Sequence, residues 1–104
     1  MTQLIYRSKS KIHGTGAFAG AELPRDLHLR ILYRQVVPTN PDAFEGGLLP
    51  LQPFCFLDHS RRPNCEVVTD LQGGRERLYL RVLRKVTPGT ELTIDYGEVY
   101  WKAV

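Results

Sequence analysis

Hydrophobic and polar residues alternate with a period of two in several short stretches of the chain. Leu27, Leu29, Ile31 and Tyr33 alternate with His28, Arg30 and Arg34, and Leu32 interrupts the pattern. Leu78, Leu80 and Val82 alternate with Arg77, Tyr79 and Arg81; Leu92, Ile94 and Tyr96 alternate with Glu91, Thr93 and Asp95. Successive side chains of an extended chain point to opposite faces, so each stretch predicts a half-buried strand. Shorter strands are expected at Leu4 to Arg7, Ala17 to Ala19 and Glu66 to Thr69. Turns are signalled by His13-Gly14-Thr15-Gly16, Pro24-Arg25-Asp26, Gln72-Gly73-Gly74 and Thr87-Pro88-Gly89-Thr90. The stretch from Val37 to Pro53 carries four prolines and two glycines in seventeen residues, which predicts a loop or at most one helical turn. With 9 Gly and 7 Pro spread over 104 residues, long helices are disfavoured. The expected class is all-β, built from many short strands.

The same periodicity assigns Tyr96 a direction. It shares a face with Leu92 and Ile94 and so should point inward, while Gly97 lets the chain turn away. A buried tyrosine hydroxyl needs a polar partner or a pocket.

A chain of 104 residues makes one small domain. Such a domain buries only ~60–65% of its unfolded surface, so its core is thin. Hydrophobic residues at 42% exclude a disordered tail. No apolar run approaches the ~20 residues that span a bilayer, and Met1 to Lys11 lacks the continuous apolar stretch of a secretory signal. These features predict an intracellular, cytoplasmic protein without a membrane partner. Fourteen Lys and Arg against 11 Asp and Glu leave a net charge of +3, too mild to demand a nucleic-acid partner. Cys55 and Cys65 form no CxxC pair and have no His at ligand spacing, so no metal site is expected and both thiols read as reduced.

Taken one at a time, the polar clusters are weak signals. His13-Gly14-Thr15-Gly16 is half a phosphate-binding loop and lacks the third glycine and the following helix. Asp58-His59-Ser60 holds the residue types of a hydrolase triad, but triads are assembled from distant parts of a chain. Arg75, Arg77, Arg81, Arg84 and Lys85 form a basic run that reads as a solvated sheet face, or as the contact surface of a nucleic-acid-binding β-domain.

In order, the clusters carry more. Ile12-His13-Gly14-Thr15-Gly16-Ala17-Phe18-Ala19 comes first, and Phe56-Leu57-Asp58-His59-Ser60 with Pro63-Asn64-Cys65 lies mid-chain. Gly89-Thr90-Glu91-Leu92-Thr93-Ile94-Asp95-Tyr96-Gly97 closes the series. This succession resembles the SET domain, the family of S-adenosylmethionine-dependent protein lysine methyltransferases. The ending Tyr96-Gly97-Glu98-Val99-Tyr100-Trp101 is most similar to minimal viral and bacterial members that lack flanking cysteine-rich modules.

The resemblance implies a single minimal SET domain over residues 1–104 with no flanking zinc module. It also implies a fold of short antiparallel strands with a C-terminal pseudoknot. By match, His13, Gly14, Thr15 and Gly16 would receive the methionine part of the cofactor. Asp58 and His59 would bind its amino group and adenine, and Trp101 would lie beneath the adenine. Tyr96 matches the catalytic tyrosine, and Tyr33, Phe56 and Tyr100 are candidate walls of the lysine channel. The implied activity is methyl transfer from S-adenosylmethionine to a lysine of a protein, a histone or histone-like substrate among them, leaving S-adenosylhomocysteine and using no metal. A catalytically impaired binding module of the same fold is the alternative. Asp58 stands where the family usually has Asn, Arg61 where it usually has Cys, and the turn at Pro24 to Asp26 lacks the family's glycine. The insert from Val37 to Pro53 is short for a substrate groove, which predicts a homodimer in which a second copy completes the surface.

Overall fold

The computed structural model describes residues 4–44 and 46–99. Their architecture is all-β, as the alternation predicts. Strands β1 (Ile5–Lys9) and β2 (Thr15–Ala19) form an antiparallel hairpin with Ile5 opposite Ala19 and Lys9 opposite Thr15. Strands β3 (His28–Ile31) and β4 (Tyr33–Gln35) follow. The expected strand from Leu27 onward is thus cut at Leu32, the residue that breaks its pattern. Leu32 is 60% exposed, and the chain changes partner there. β3 pairs with β8, and β4 pairs with β5.

The segment 37–53 is more ordered than its prolines suggest. It contains β5 (Leu48–Pro50), antiparallel to β4, so the expectation of a loop is corrected. Gly46 and Gly47 take φ of +84° and +79°, which folds Phe44 back onto Leu48 and buries both. At Gly47 a side chain would run into the carbonyl of Val36, so only glycine fits. Pro50 is accommodated because β5 pairs on one side only and its missing N–H is not required by a second neighbour.

Strands β7 (Cys65–Gln72) and β8 (Arg75–Val82) are longer than the alternation indicated and meet at Gly73-Gly74. Both glycines have positive φ, +61° and +79°, which suits a two-residue hairpin turn. Together with β3 they make a three-stranded sheet. Leu78, Leu80 and Val82 face the core, where they meet Leu23, Ile31, Leu57, Leu92 and Ile94, all nearly inaccessible to solvent. On the outer face Arg81 is not a free cation: its guanidinium holds Glu66 and Asp26, each at 2.7 Å. Asp26 has φ +68°, so it fills the left-handed turn position where the expected glycine is absent.

The last part of the chain is threaded rather than appended. Strand β6 (Asp58–His59) pairs with β9 (Thr93–Ile94) in parallel, Asp58 opposite Thr93 and His59 opposite Ile94. This ladder departs from the all-antiparallel expectation, because two segments joined by the β7–β8 hairpin return in the same direction. On its other side the same stretch lies along β2: Leu92 N–H donates to Ala17 O at 2.7 Å, and Ala19 N–H to Thr90 O at 2.9 Å. Held between an N-terminal strand and a mid-chain segment, it forms the pseudoknot. A one-turn helix, α1 (Tyr96–Val99), follows.

Candidate functional site

The turn between β1 and β2 is built around Ser10. Its hydroxyl oxygen accepts the N–H groups of Ile12 at 2.9 Å and His13 at 3.2 Å, and its backbone N–H donates to Gly14 O at 2.8 Å. Gly14 has φ +51°, and nothing lies within 4 Å of where its side chain would begin. The turn's outer surface is therefore open. His13 and Thr15 are exposed, whereas Gly16 is buried.

Gly16 is buried because Glu91 lies beneath it. A Cβ at Gly16 would collide with the Glu91 carboxylate, so the glycine is required by close approach and not by its dihedral angles. Both Glu91 carboxyl oxygens lie near Ser10 Oγ, at 2.7 and 2.9 Å. Glu91 also interacts with the carboxyl of Asp58. Burial raises the pKa of Glu91 above its ordinary value, the hydrogen bond with Asp58 raises it further, and the Ser10 hydroxyl lowers it. Asp58 is 8% exposed, and its Oδ2 has no hydrogen-bond partner among the described residues.

Asn64 secures the stretch that carries Glu91. Its amide donates to Glu91 O at 2.9 Å and accepts Thr93 N–H at 2.9 Å, while its own N–H donates to Thr93 Oγ1 at 3.2 Å. Both sides of β9 are thus occupied. The period-two reading placed Tyr96 on one strand face with Leu92 and Ile94. Instead β9 spans Thr93–Ile94 only, Thr93 is itself buried, and Tyr96 opens α1. Tyr96 is half-buried, and its hydroxyl donates to Leu57 O. Its pKa lies above the ordinary tyrosine value, first through burial and then through the negative charges of Asp58 and Glu91.

His59 supports Tyr96 from the backbone side. Its Nδ1 accepts the Tyr96 N–H at 3.0 Å, and the two rings lie 5.2 Å apart. A nitrogen that accepts this bond carries no proton, so the ring's hydrogen sits on Nε2. Asp95 Oδ1, 3.8 Å from the same Nδ1, therefore makes no ion pair with it in this form. Beside Tyr96 opens a cavity of about 690 Å³, walled by residues 41–42 and 49–52, Cys55 and Gly97.

The structure brings Gly16, Asp58, His59 and Tyr96 together. Tyr33 lies elsewhere: its hydroxyl donates to Glu76 O at 2.7 Å, and it borders a separate cavity with Arg30, Arg75 and Arg77. Phe56, in a 3₁₀ turn at Phe54–Phe56, is half-buried against the core. Tyr100 and Trp101 lie outside the described residues. Ser10, Asn64 and Glu91 had no site role in the sequence reading. Ser10 and Glu91 are 81 positions apart, and no local pattern links a serine to a glutamate at that distance. No group of three or more His, Cys, Asp or Glu able to hold a metal occurs among the described residues, and no helix among them is long and apolar enough to cross a membrane.

Comparison with known proteins bears on this arrangement. The family model of the SET domain matches residues 5–97. The histone-lysine N-methyltransferase MEDEA of Arabidopsis thaliana is 30% identical over 114 aligned residues, covering 88% of this chain but 16% of MEDEA. The chain thus spans about a sixth of that relative's length. A candidate histone methyltransferase of Plasmodium falciparum superposes with a TM-score of 0.75 at 21% identity, covering 98% of this chain and 100% of that one. A humanized mutant of the Chaetomium thermophilum Polycomb Repressive Complex 2, bound to an inhibitor, superposes with a TM-score of 0.79 at 13% identity. That match covers 96% of this chain and 16% of the other. At such identities the structural matches speak for the fold, and the match of the family model across the motif-bearing residues decides the family: the chain belongs to the SET-domain family.

Proposed function

We propose that this protein transfers a methyl group from S-adenosylmethionine to the Nζ of a lysine in a protein substrate. The observation that carries the reading is that Glu91 lies beneath Gly16 at the end of the open turn, while Asp58, with its orphaned buried oxygen, and Tyr96 both interact with Glu91. The residues fit the cofactor: Asp58 Oδ2 offers a buried acceptor to its amino group, and the turn at His13 to Gly16 leaves room for its carboxylate. When bound, S-adenosylmethionine supplies a methyl carbon made electrophilic by a cationic sulfur.

The chain's own residues handle the amine. A lysine must be neutral to attack, and removing its proton at pH 7 costs about 4–5 kcal/mol from a pKa near 10.4. The Tyr96 phenol stays un-ionised because burial and the neighbouring carboxyls oppose its charge. Its O–H is committed to Leu57 O, which fixes the oxygen as an acceptor for an amine N–H. The cavity beside Tyr96, with apolar Leu49, Pro50 and Leu51 and the carboxylate of Asp42, suits a cationic side chain on an aliphatic stem. A basic protein such as a histone fits this surface, and the name of the MEDEA relative supports that choice. The exposed Leu51 at the cavity and exposed Leu32, whose carbonyl oxygen accepts the Leu51 N–H, provide apolar surface for a second copy, and sedimentation equilibrium at micromolar concentration tests the homodimer.

A thermal melt with and without S-adenosylmethionine tests the cofactor site, and labelled-methyl transfer to histone lysines tests the activity. Saturating ligand at 100 times its Kd adds about 2.7 kcal/mol to the unfolding free energy. The expected result is an upward shift in both wild type and Tyr96→Phe, with transfer lost in the variant alone. A shift without transfer to any basic protein would favour the binding-module reading, and no shift at millimolar cofactor would refute the proposal.

A further inference from the structure

The fold sorts the basic run from Arg75 to Lys85 into two groups. Arg81 is held by Glu66 and Asp26. Arg84 donates to Pro63 O at 3.1 Å and to Arg62 O at 3.4 Å, and Lys85 lies 3.9 Å from Glu22. Those three cations are committed. Arg75 and Arg77, by contrast, have no side-chain hydrogen bond or ion pair among the described residues.

Arg30 joins the uncommitted pair from another strand. It stands opposite Tyr79 in the β3–β8 ladder, and residues paired in register share a face. Leu78, Leu80 and Val82 fill the core, so Arg77 and Tyr79 point outward, and Arg75, two positions before Arg77, follows them. Arg30, Arg75 and Arg77 together border the cavity of about 320 Å³ beside Tyr33. The Tyr33 hydroxyl, donating to Glu76 O, ties β4 to the start of β8 and fixes one wall. Two acids stand close: Glu76 borders the cavity, and Asp70 is opposite Arg77 in the β7–β8 ladder. Neither closes an ion pair with the three arginines.

The layout of these cations suits an extended anion. β3 covers β8 only from Leu78 to Arg81, so residues 70–77 extend past β3 as a two-stranded ribbon with Gly73-Gly74 at its tip. A two-stranded ribbon is narrow enough to enter the major groove of a duplex. Four residues separate Arg75 from Tyr79, the partner of Arg30, which is about 13 Å of extended chain. Over that length one strand of a duplex presents about four phosphates, at about 3.4 Å of rise each. Each planar guanidinium can take two oxygens of one phosphate, whereas a single carboxylate would occupy only one of the three.

We propose that Arg30, Arg75 and Arg77 form a contact site for the phosphate backbone of double-stranded nucleic acid, independent of base sequence. The overall charge of +3 does not require such a partner; the placement of three uncommitted guanidiniums around one cavity supplies the local field. The inference goes beyond the methyltransferase reading and does not rest on it.

A labelled DNA duplex of about 20 base pairs, titrated with the full chain between about 50 and 200 mM KCl and read by fluorescence anisotropy, tests the site. Three phosphate contacts predict a slope of log K against log salt of about −2.7, a loss of about 40-fold over that range. Arg75→Ala and Arg77→Ala should each bring the slope to about −1.8 and the loss to about 12-fold. Arg30→Ala should do the same from another strand, so a folding defect in one variant, seen by circular dichroism, leaves the others to decide. Arg84→Ala removes a cation of the same run that is already bonded to backbone carbonyls, and it should leave the slope as it is. No binding at the lowest salt, or equal losses in Arg84→Ala and the cavity variants, would overturn the inference. Tighter binding of polyglutamate than of duplex at matched charge would also overturn it, and would assign this face to an acidic protein.

Discussion

Replacing Asn64 with Ala tests whether the threaded C-terminal stretch is held as described. Asn64 is 6% exposed and sits between β7 and the 91–93 stretch. Ala removes the donor that serves Glu91 O and the acceptor that serves Thr93 N–H. Both backbone groups then lie in a protein interior without a partner, at about 1–3 kcal/mol each. Some relaxation and water entry is expected at a stretch this near the surface, so the loss should be about 2–4 kcal/mol. Against a typical domain stability of about 5–15 kcal/mol this is a large fraction. With about 4–8 °C per kcal/mol for a domain of this size, the melting temperature should fall by roughly 10–25 °C. Thr93→Val is the partial version: it removes only the hydroxyl that accepts Asn64 N–H and should cost about 1–2 kcal/mol. Because the two side chains share one network, the double variant should lose less than the two singles together. Urea denaturation followed by far-ultraviolet circular dichroism measures all three. A loss under about 1 kcal/mol for Asn64→Ala would refute the network.

Other outcomes follow from the same geometry. Gly16→Ala should fold but displace the Glu91 carboxylate from Ser10, weakening S-adenosylmethionine binding by tenfold or more in a calorimetric titration; unchanged affinity would show that the close approach does not matter. Methyl transfer should rise with pH as the lysine deprotonates, with no falling limb from Tyr96 below pH 10, since its phenol is held above the ordinary value of 10.0; a decline between pH 8 and 9.5 at constant stability would contradict this. Of the two thiols, Cys65 is buried with its pKa pushed up to about 12 and should resist a disulfide reagent at pH 8 until the chain unfolds. Exposed Cys55, raised chiefly by partial burial, should react slowly but completely in the native protein.

How much of this was legible in the sequence depends on the range of the interaction involved. Leu78, Leu80 and Val82 announced a strand because one face is core and the other is solvent, and the pair Gly73-Gly74 announced its turn. The alternation at Leu92, Ile94 and Tyr96 misled, because Thr93 is buried as well and the chain leaves the extended form before Tyr96. Strand β5 was hidden by Pro50 and Pro53, whose composition says loop even where one edge of a strand tolerates a missing donor. Within the site, the resemblance drew attention to Gly16, Asp58, His59 and Tyr96 as separate motifs. What joins three of them is a carboxylate at position 91, a fact of three-dimensional proximity that no spacing rule contains. Tyr33 illustrates the reverse: its aromatic character was compatible with a channel wall, yet its hydroxyl is bonded to the backbone at Glu76.

The parallel pairing of Asp58–His59 with Thr93–Ile94 ties the candidate site to the insertion of one segment. Ala17, Ala19, Asn64 and Ser60 each grip the 90–94 stretch by backbone or side chain, and these grips come from two separate regions of the chain, 17–19 and 60–64. Contacts of such long sequence separation carry a large loop-closure entropy. Glu91 and Tyr96 travel with that stretch, so a chain that has folded its hairpins but not inserted its last strand has neither the acid beneath Gly16 nor the hydroxyl at Leu57. Release of this one segment therefore erases the site in a single event. The candidate site thus depends on the insertion of this one segment, and protection of the Leu92 and Thr93 amides from hydrogen exchange should report the fraction of molecules in which it is formed.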